Sequence, residues 1–292
     1  MEKLGKCVEK IYVIDYNKFE RGRKKMTRAE LKREAKNTLR GRWGTAIGML
    51  LIYGFIVGAI SFIGGFVPLV GSIAVVAVSV PLAFGFTGQM LKYSRKQDVG
   101  FFDFFTIGFN NFSKSWSIVG RTLLKLLPYV IIYAVCLIIL TIVAAVAGVM
   151  VVSTTFGAIG ANTEHLSELS EIFEGTISGV AVILPIIFIV FFVVSILLTI
   201  QTYFYVLTEY IGNDNPEMSA KDVVEKSKEL MTGNRWRFFV LNLSFIGWMI
   251  LAGFTFGIGY LWLAPYMEVT LIKFYEDLIG NIKGNNVVEV IQ

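Results

Sequence analysis

Four runs of this chain carry no charged residue: Gly44–Leu91, Leu126–Thr163, Gly175–Thr208 and Phe238–Met267. A hydrocarbon bilayer core takes about 20 apolar residues per helical span and tolerates no unpaired backbone polar group. The first run holds 48 residues, room for two spans. The second and third hold 38 and 34, each one span with polar flanks. The last holds 30, one long helix or a tight hairpin of two. Composition agrees: 55% of the 292 residues are hydrophobic and 24 are Phe, too apolar for a soluble domain of this length.

The cations decide the threading. All 27 Lys and Arg fall before Trp43, from Lys92 to Lys125, from Lys221 to Arg237, and after Met267. Positively charged loops stay on the cytoplasmic side. Six spans, with both termini cytoplasmic, satisfy that rule throughout; five would put Lys273 and Lys283 outside. The expected fold is all-α: a polytopic protein of the bacterial cytoplasmic membrane. It has about six transmembrane helices in three hairpins, with cytoplasmic interfacial helices before the hairpins. The expected organisation is a basic tail over residues 1–25, a membrane domain over 26–280 and a short, disordered tail over 281–292. Cys7 lies in the cytoplasmic tail and Cys136 in a span, so no disulfide is expected.

One unit occurs twice. Thr27–Gly41 and Ser219–Gly233 align without gaps, and a Trp follows each, Trp43 and Trp236. Both open as capping boxes, Thr27-x-x-Glu30 and Ser219-x-x-Asp222, the shorter Asp being the weaker partner. Leu31, Ala35, Thr38 and Leu39 coincide with Val223, Ser227, Leu230 and Met231, one stripe of a helix. Gly41 and Gly233 suit a left-handed C-cap. Trp43, Trp116 and Trp236 are the expected interfacial anchors, with indole N–H in water and ring among acyl chains.

Along the chain, Gly44/Gly48 and Gly54/Gly58 form two small-xxx-small faces of span 1, expected to pack helices within the chain, or alternatively between two copies. Gly64, Gly65, Pro68 and Gly71 mark the first turn. Pro81 kinks span 2 and frees a backbone carbonyl. The segment Phe101-Phe102-Asp103-Phe104-Phe105, with Phe109 and Phe112, is too aromatic for a solvated loop. It reads as an interfacial helix ending at Trp116, and as a degenerate third copy of the unit. Spans 3 and 4 are expected near Leu126–Val149 and Ile177–Tyr203. Between them Glu164, His165, Glu168, Glu171 and Glu174 form the acidic face of an amphipathic segment; one His without a second makes a poor metal site. Residues Glu209–Pro216 read as a turn, and Gly253, Gly257 and Gly259 as the last hairpin turn. Residues 20–25 back-translate into an almost pure purine run, so translation is expected to start at Met26; a real basic tail touching anionic lipid is the alternative.

The segments Thr27–Lys32, Gly41–Gly48, Ser227–Gly233, Leu243–Trp248 and Thr255–Tyr266 together resemble the bacterial membrane proteins catalogued as domain of unknown function 975. That family is found mostly in Gram-positive bacteria. The resemblance runs from about Met26 to Leu278. It implies a start at a Met-Ser/Thr-Arg sequence, as at Met26, and no catalytic residues, since the family has no agreed activity.

No catalytic constellation, phosphate loop or metal spacing is apparent, and no Ser-His-Asp or Cys-His arrangement is expected around the single histidine. No catalytic, cofactor or metal residue is therefore expected, and no cofactor. The basic loops point to anionic lipid headgroups as partner and not to nucleic acid; a protein partner or a homo-oligomer is left open. Polar groups in or near spans are the remaining candidates: Gln89, Gln201, Glu209, Asn242 and Glu268. An ionised side chain at mid-membrane costs roughly 2.5–3.5 kcal/mol, so each should face the bundle or a watery cavity. For Glu268 the choice is a cavity-lining carboxylate or a boundary residue near Lys273. The expected function is a non-enzymatic membrane or envelope factor that assists partners or lipid. The alternative is a small permease or exporter with a polar cavity near Glu268 and Gln201.

Overall fold

The computed structural model describes residues 25–160 and 185–286. The tail up to residue 24, the acidic segment with Glu164 and His165, and residues 287–292 lie outside the described residues, and the expectations made there lie outside with them. Among the described residues every regular element is helical. Five stretches are long and apolar enough to cross a membrane: Trp43–Gly65, Leu69–Ser94, Phe112–Val146, Pro185–Asp214 and Arg235–Phe254.

Helix α1 (Arg28–Leu39) starts with a reciprocal cap. The Glu30 amide donates to Thr27 Oγ1 at 3.3 Å, and the Thr27 amide donates to Glu30 Oε2 at 2.6 Å. A second helix, Ala220–Met231, is capped alike: the Asp222 amide donates to Ser219 Oγ at 3.3 Å. Gly41 and Gly233, just past the two helices, both have φ +78°, a backbone region open to Gly. The two apolar stripes are buried as aligned: Leu31, Ala35, Thr38 and Leu39 in one, Val223, Ser227, Leu230 and Met231 in the other. They are buried by protein, however. These helices were expected to lie on the membrane; their apolar faces are instead occupied by neighbouring helices, which leaves polar faces outward.

Helices α2 (Trp43–Gly65) and α3 (Pro68–Ser94) form the first hairpin. A Cβ at Gly64 or Gly71 would collide with the other helix, so these glycines permit the close approach at its top. The packing expected of Gly44, Gly48, Gly54 and Gly58 needs correction. Only Gly48 meets another element, the Phe101 ring; at Gly44, Gly54 and Gly58 a Cβ would meet nothing within 4 Å. Small residues matter where backbones converge, and on α2 those three face away from the described neighbours.

Helix α4 (Asp103–Asn110) is the aromatic segment, and it ends earlier than expected. Trp116 belongs to the next helix, α5 (Phe112–Gly160), which runs unbroken for 49 residues. At 1.5 Å per residue that is about 74 Å, more than twice a bilayer core. The cation-bearing stretch between Trp116 and Leu126, where the expected interfacial helix had ended, is helical too. After α6 (residues 185–202) and a 3₁₀ turn at Tyr203–Tyr205 comes α7 (Thr208–Asp214), a short helix where a plain turn was expected. Then follow α8 (Ala220–Met231), α9 (Arg235–Leu243), α10 (Ile246–Phe254) and α11 (Tyr260–Asn286). The expected glycine turn joins α10 to α11, with Phe256 at φ 51° and Gly257 at φ 87°. Helix α11 runs past Gly280, where the tail was expected to begin.

Two compact units result. One contains residues up to Gly120 and from Val206 onward; the other is Arg121–Tyr205. In the first, α11 packs on α1, α2, α3 and α10 around Leu39, Met49, Phe84, Phe245, Phe274 and Tyr275. Arg237 and Asp277 pair at 2.6 Å, and both hold Met26: Arg237 Nη2 donates to its carbonyl at 2.7 Å, and its amide donates to Asp277 Oδ1 at 3.2 Å. In the second unit Tyr133 and Phe191 rings meet at 5.1 Å, while Leu124, Ile138, Phe188, Ile189 and Phe192 lie exposed. Apolar surface on that scale needs an apolar solvent.

Candidate functional site

Short helix α7 builds the site. Four of its polar side chains form two i,i+4 pairs on adjacent faces, Glu209/Asn213 and Tyr210/Asp214. Gly88 on α3 and Gly212 on α7 let the helices approach: a Cβ at Gly88 would strike the Asn213 side chain, and one at Gly212 would lie 2.8 Å from Ile118 Cδ1.

The first pair turns to α3. Thr87 Oγ1 donates to Glu209 Oε2 at 2.6 Å, and Asn213 Nδ2 donates to the Phe84 carbonyl at 3.0 Å. The second turns to α11 and the end of α3. Tyr210 Oη donates to Glu268 Oε1 at 2.8 Å. Arg95 holds Asp214 by two bonds, at 2.5 and 2.8 Å, and Tyr275 Oη donates to the same carboxylate at 2.9 Å. Arg95 Nε also reaches Glu276, which pairs with Lys273. The hydrogen bonds to Asp214 hold the Arg95 guanidinium protonated even more firmly than usual. Glu209 and Glu268 are half-buried. Tyr53 of α2 stacks its ring on Phe86 of α3 at 4.4 Å.

Two of the five polar candidates, Glu209 and Glu268, thus join helices around α7, Glu209 to Thr87 of α3 and Glu268 to Tyr210 of α7. The others stand apart. Gln89 is fully buried, and its Nε2 donates to the Gly100 carbonyl, tying α3 to the loop before α4. Asn242 turns back on the Phe238 carbonyl of its own helix at 2.9 Å. Gln201 is half-buried and belongs to the second unit. Of the three tryptophans, Trp236 is 73% exposed, Trp43 is half-buried 6.5 Å from the Tyr266 ring, and Trp116 points into the fold. Its Nε1 donates to the Ala77 carbonyl at 3.2 Å. That carbonyl lies four residues before Pro81, the one a helical proline leaves without a donor. Sequence reading missed Tyr210, Thr87, Tyr53 and the Arg95–Asp214 pair. The available signal was the Glu209–Asp214 spacing, polar at i and i+4 within what looked like a turn.

A lysine serves the other hairpin. Lys32 Nζ donates to the Ser244 carbonyl at 3.0 Å, where α9 gives way to α10, and sits 3.9 Å from the Phe245 ring centre. Burial lowers its pKa, and the neighbouring Lys36 and Arg28 lower it further.

The arrangement holds two half-buried carboxylates, each accepting from a hydroxyl of a neighbouring helix. Among the described residues no group of three or more His, Cys, Asp or Glu is placed to hold a metal ion. Against known families, the model described as protein of unknown function (DUF975) matches residues 26–282. The chain belongs to the DUF975 family. No curated protein and no solved structure matches it. Its five long apolar helices make this DUF975 protein a membrane protein, and its family is one of unknown function.

Proposed function

We propose that this DUF975 protein is a non-enzymatic factor of the bacterial cytoplasmic membrane that assists partners or lipid. In this reading it spans the bilayer six times in three hairpins, with both termini cytoplasmic. The capped helices and the paired +78° glycines support an internal repeat as the origin of two of the hairpins. One observation carries the reading. Three polar pairs of the central bundle close on themselves, Thr87–Glu209, Tyr210–Glu268 and Arg95–Asp214, while the surface of the long helices is apolar. Such a protein offers lipid and partner surfaces more than a reaction centre. Photo-crosslinking from the exposed face of α8 in native membranes should trap a defined partner or lipid. Reconstituted protein that turns over a substrate unaided would overturn the reading.

A second reading, a small permease or exporter, is favoured by two half-buried carboxylates held among apolar helices, Glu209 and Glu268, each accepting from a hydroxyl. Its test is flux into proteoliposomes, lost on Glu268→Gln at unchanged expression. Topology is tested separately: a C-terminal tag reached from outside intact cells would remove the six-span arrangement.

A further inference from the structure

We infer that α4 with the start of α5 is a monotopic anchor, its aromatic ridge sunk into the leaflet of the same bilayer that the long helices cross. Its occupant is lipid: the upper acyl chains and the headgroup layer. This rests on the membrane reading above.

Helix α4 differs from α1 and α8, whose single apolar stripes are covered by protein. One side of α4, Phe104 and Gly108, is buried against α3. The other leaves Phe101, Phe102 and Phe109 exposed, and Phe112 at the start of α5 continues it, with Phe102 at 61%. The rings form a ladder from core to surface: Phe104 to Phe105 at 4.6 Å, Phe105 to Phe109 at 6.2 Å, Phe109 to Phe112 at 6.4 Å. Aromatic groups stacked in this way cannot turn inward together, because Phe104 already fills the inner position.

The level of the ridge identifies what covers it. On α3 the exposed apolar run is Leu69, Val70, Ile73 and Val76; from Leu82 onward Leu82, Phe84, Met90 and Leu91 are buried and Phe86 is half-buried. Helix α4 meets α3 at Pro81 and Gly85, where Gly108 and Gly85 remove the side chains that would hold the backbones apart. Nine residues separate Val76 from Gly85, about 14 Å of helix rise. On α2 the contact is Gly48 with Phe101, just before exposed Leu51 and Phe55. Trp116, one turn beyond Phe112, bonds to Ala77, the neighbour of Val76. The ridge is therefore continuous with the lipid-facing surface of the hairpin and marks its lower edge. Lys92 and Lys96 stand exposed beyond that edge, at the end of α3, where headgroup phosphates would lie.

The test uses the full chain in lipid nanodiscs, with Cys7 and Cys136 replaced by Ser. Spin labels are placed one at a time by Phe102→Cys and Phe109→Cys. Phe55→Cys is the span control and Arg33→Cys the water control. Collision with oxygen and with a water-soluble nickel chelate is measured at each site. The proposal expects the oxygen-to-nickel ratio at 102 and 109 to stand severalfold above that at 33 and to approach that at 55. Labels at 102 and 109 that match 33 while 55 stays lipid-like would overturn it and leave the membrane reading intact. Labels immobilised and shielded from both collision agents would also overturn it, showing a second copy or a partner on the ridge. A label at 55 that matches 33 would defeat the membrane reading itself.

Discussion

Gly85→Ala tests the convergence of α3 and α4 most directly. A Cβ at Gly85 would run into the Phe104 carbonyl oxygen and lie 2.8 Å from the Gly108 nitrogen and 2.9 Å from the Phe104 carbonyl carbon. Ordinary contacts between such atoms are about 3.5–4.0 Å, so the two helices must part by about 1.5–2 Å. All three contacts are backbone, so no side-chain rotation relieves them. Overpacking of this kind costs about 1–3 kcal/mol, and separation also loosens the buried Phe104 ring. Ala regains about 0.5–1 kcal/mol over Gly inside a helix. The net expectation is a loss of about 1–2 kcal/mol. Gly54→Ala is the matched control, because its Cβ would meet nothing within 4 Å. It should be neutral or stabilising by up to about 1 kcal/mol. Equilibrium unfolding in lipid bicelles gives the two values, and hydrogen exchange over residues 100–111 reports whether α4 has come loose. A Gly85→Ala protein as stable as Gly54→Ala, with unchanged exchange in α4, would refute the proposed close approach.

Trp116→Phe should cost about 1–3 kcal/mol by leaving the Ala77 carbonyl without its donor, and much less in a Pro81→Ala background, where a backbone N–H returns. A double-mutant cycle measures the difference; equal costs in both backgrounds would exclude the link between proline and indole. Arg237→Met should cost about 3–5 kcal/mol, because Asp277, only 6% exposed at its side chain, would keep a charge with no cation beside it. Adding Asp277→Asn should recover part of that loss, and strictly additive losses would count against the pairing. For Lys32 the folded pKa lies below the ordinary 10.5, so the unfolded chain binds more protons in the window between the two values. Its contribution to stability therefore rises with pH as that window is crossed. The wild type should gain on Lys32→Met as pH approaches 10.5, and parallel pH profiles for the two proteins would contradict this.

The local features of this fold were legible from residue order, because their causes are local. Charge-free runs set the class, since burying ionised groups in lipid is costly wherever they sit. Thr27, Ser219, Gly41 and Gly233 announced both ends of two helices, since caps are settled within four residues. Pro81 announced a carbonyl in need of a donor. Tertiary structure alone decided who answers each of these. That Trp116 serves Ala77, that Glu268 meets Tyr210, and that Gly85 packs where Gly54 does not, all depend on which distant helices come together. Periodicity shows that a helix has an apolar face, but not whether protein or lipid will cover it. For α1 the cover is α11; for α4, apolar on both sides, one face was settled by α3 and the other is left uncovered by the described chain.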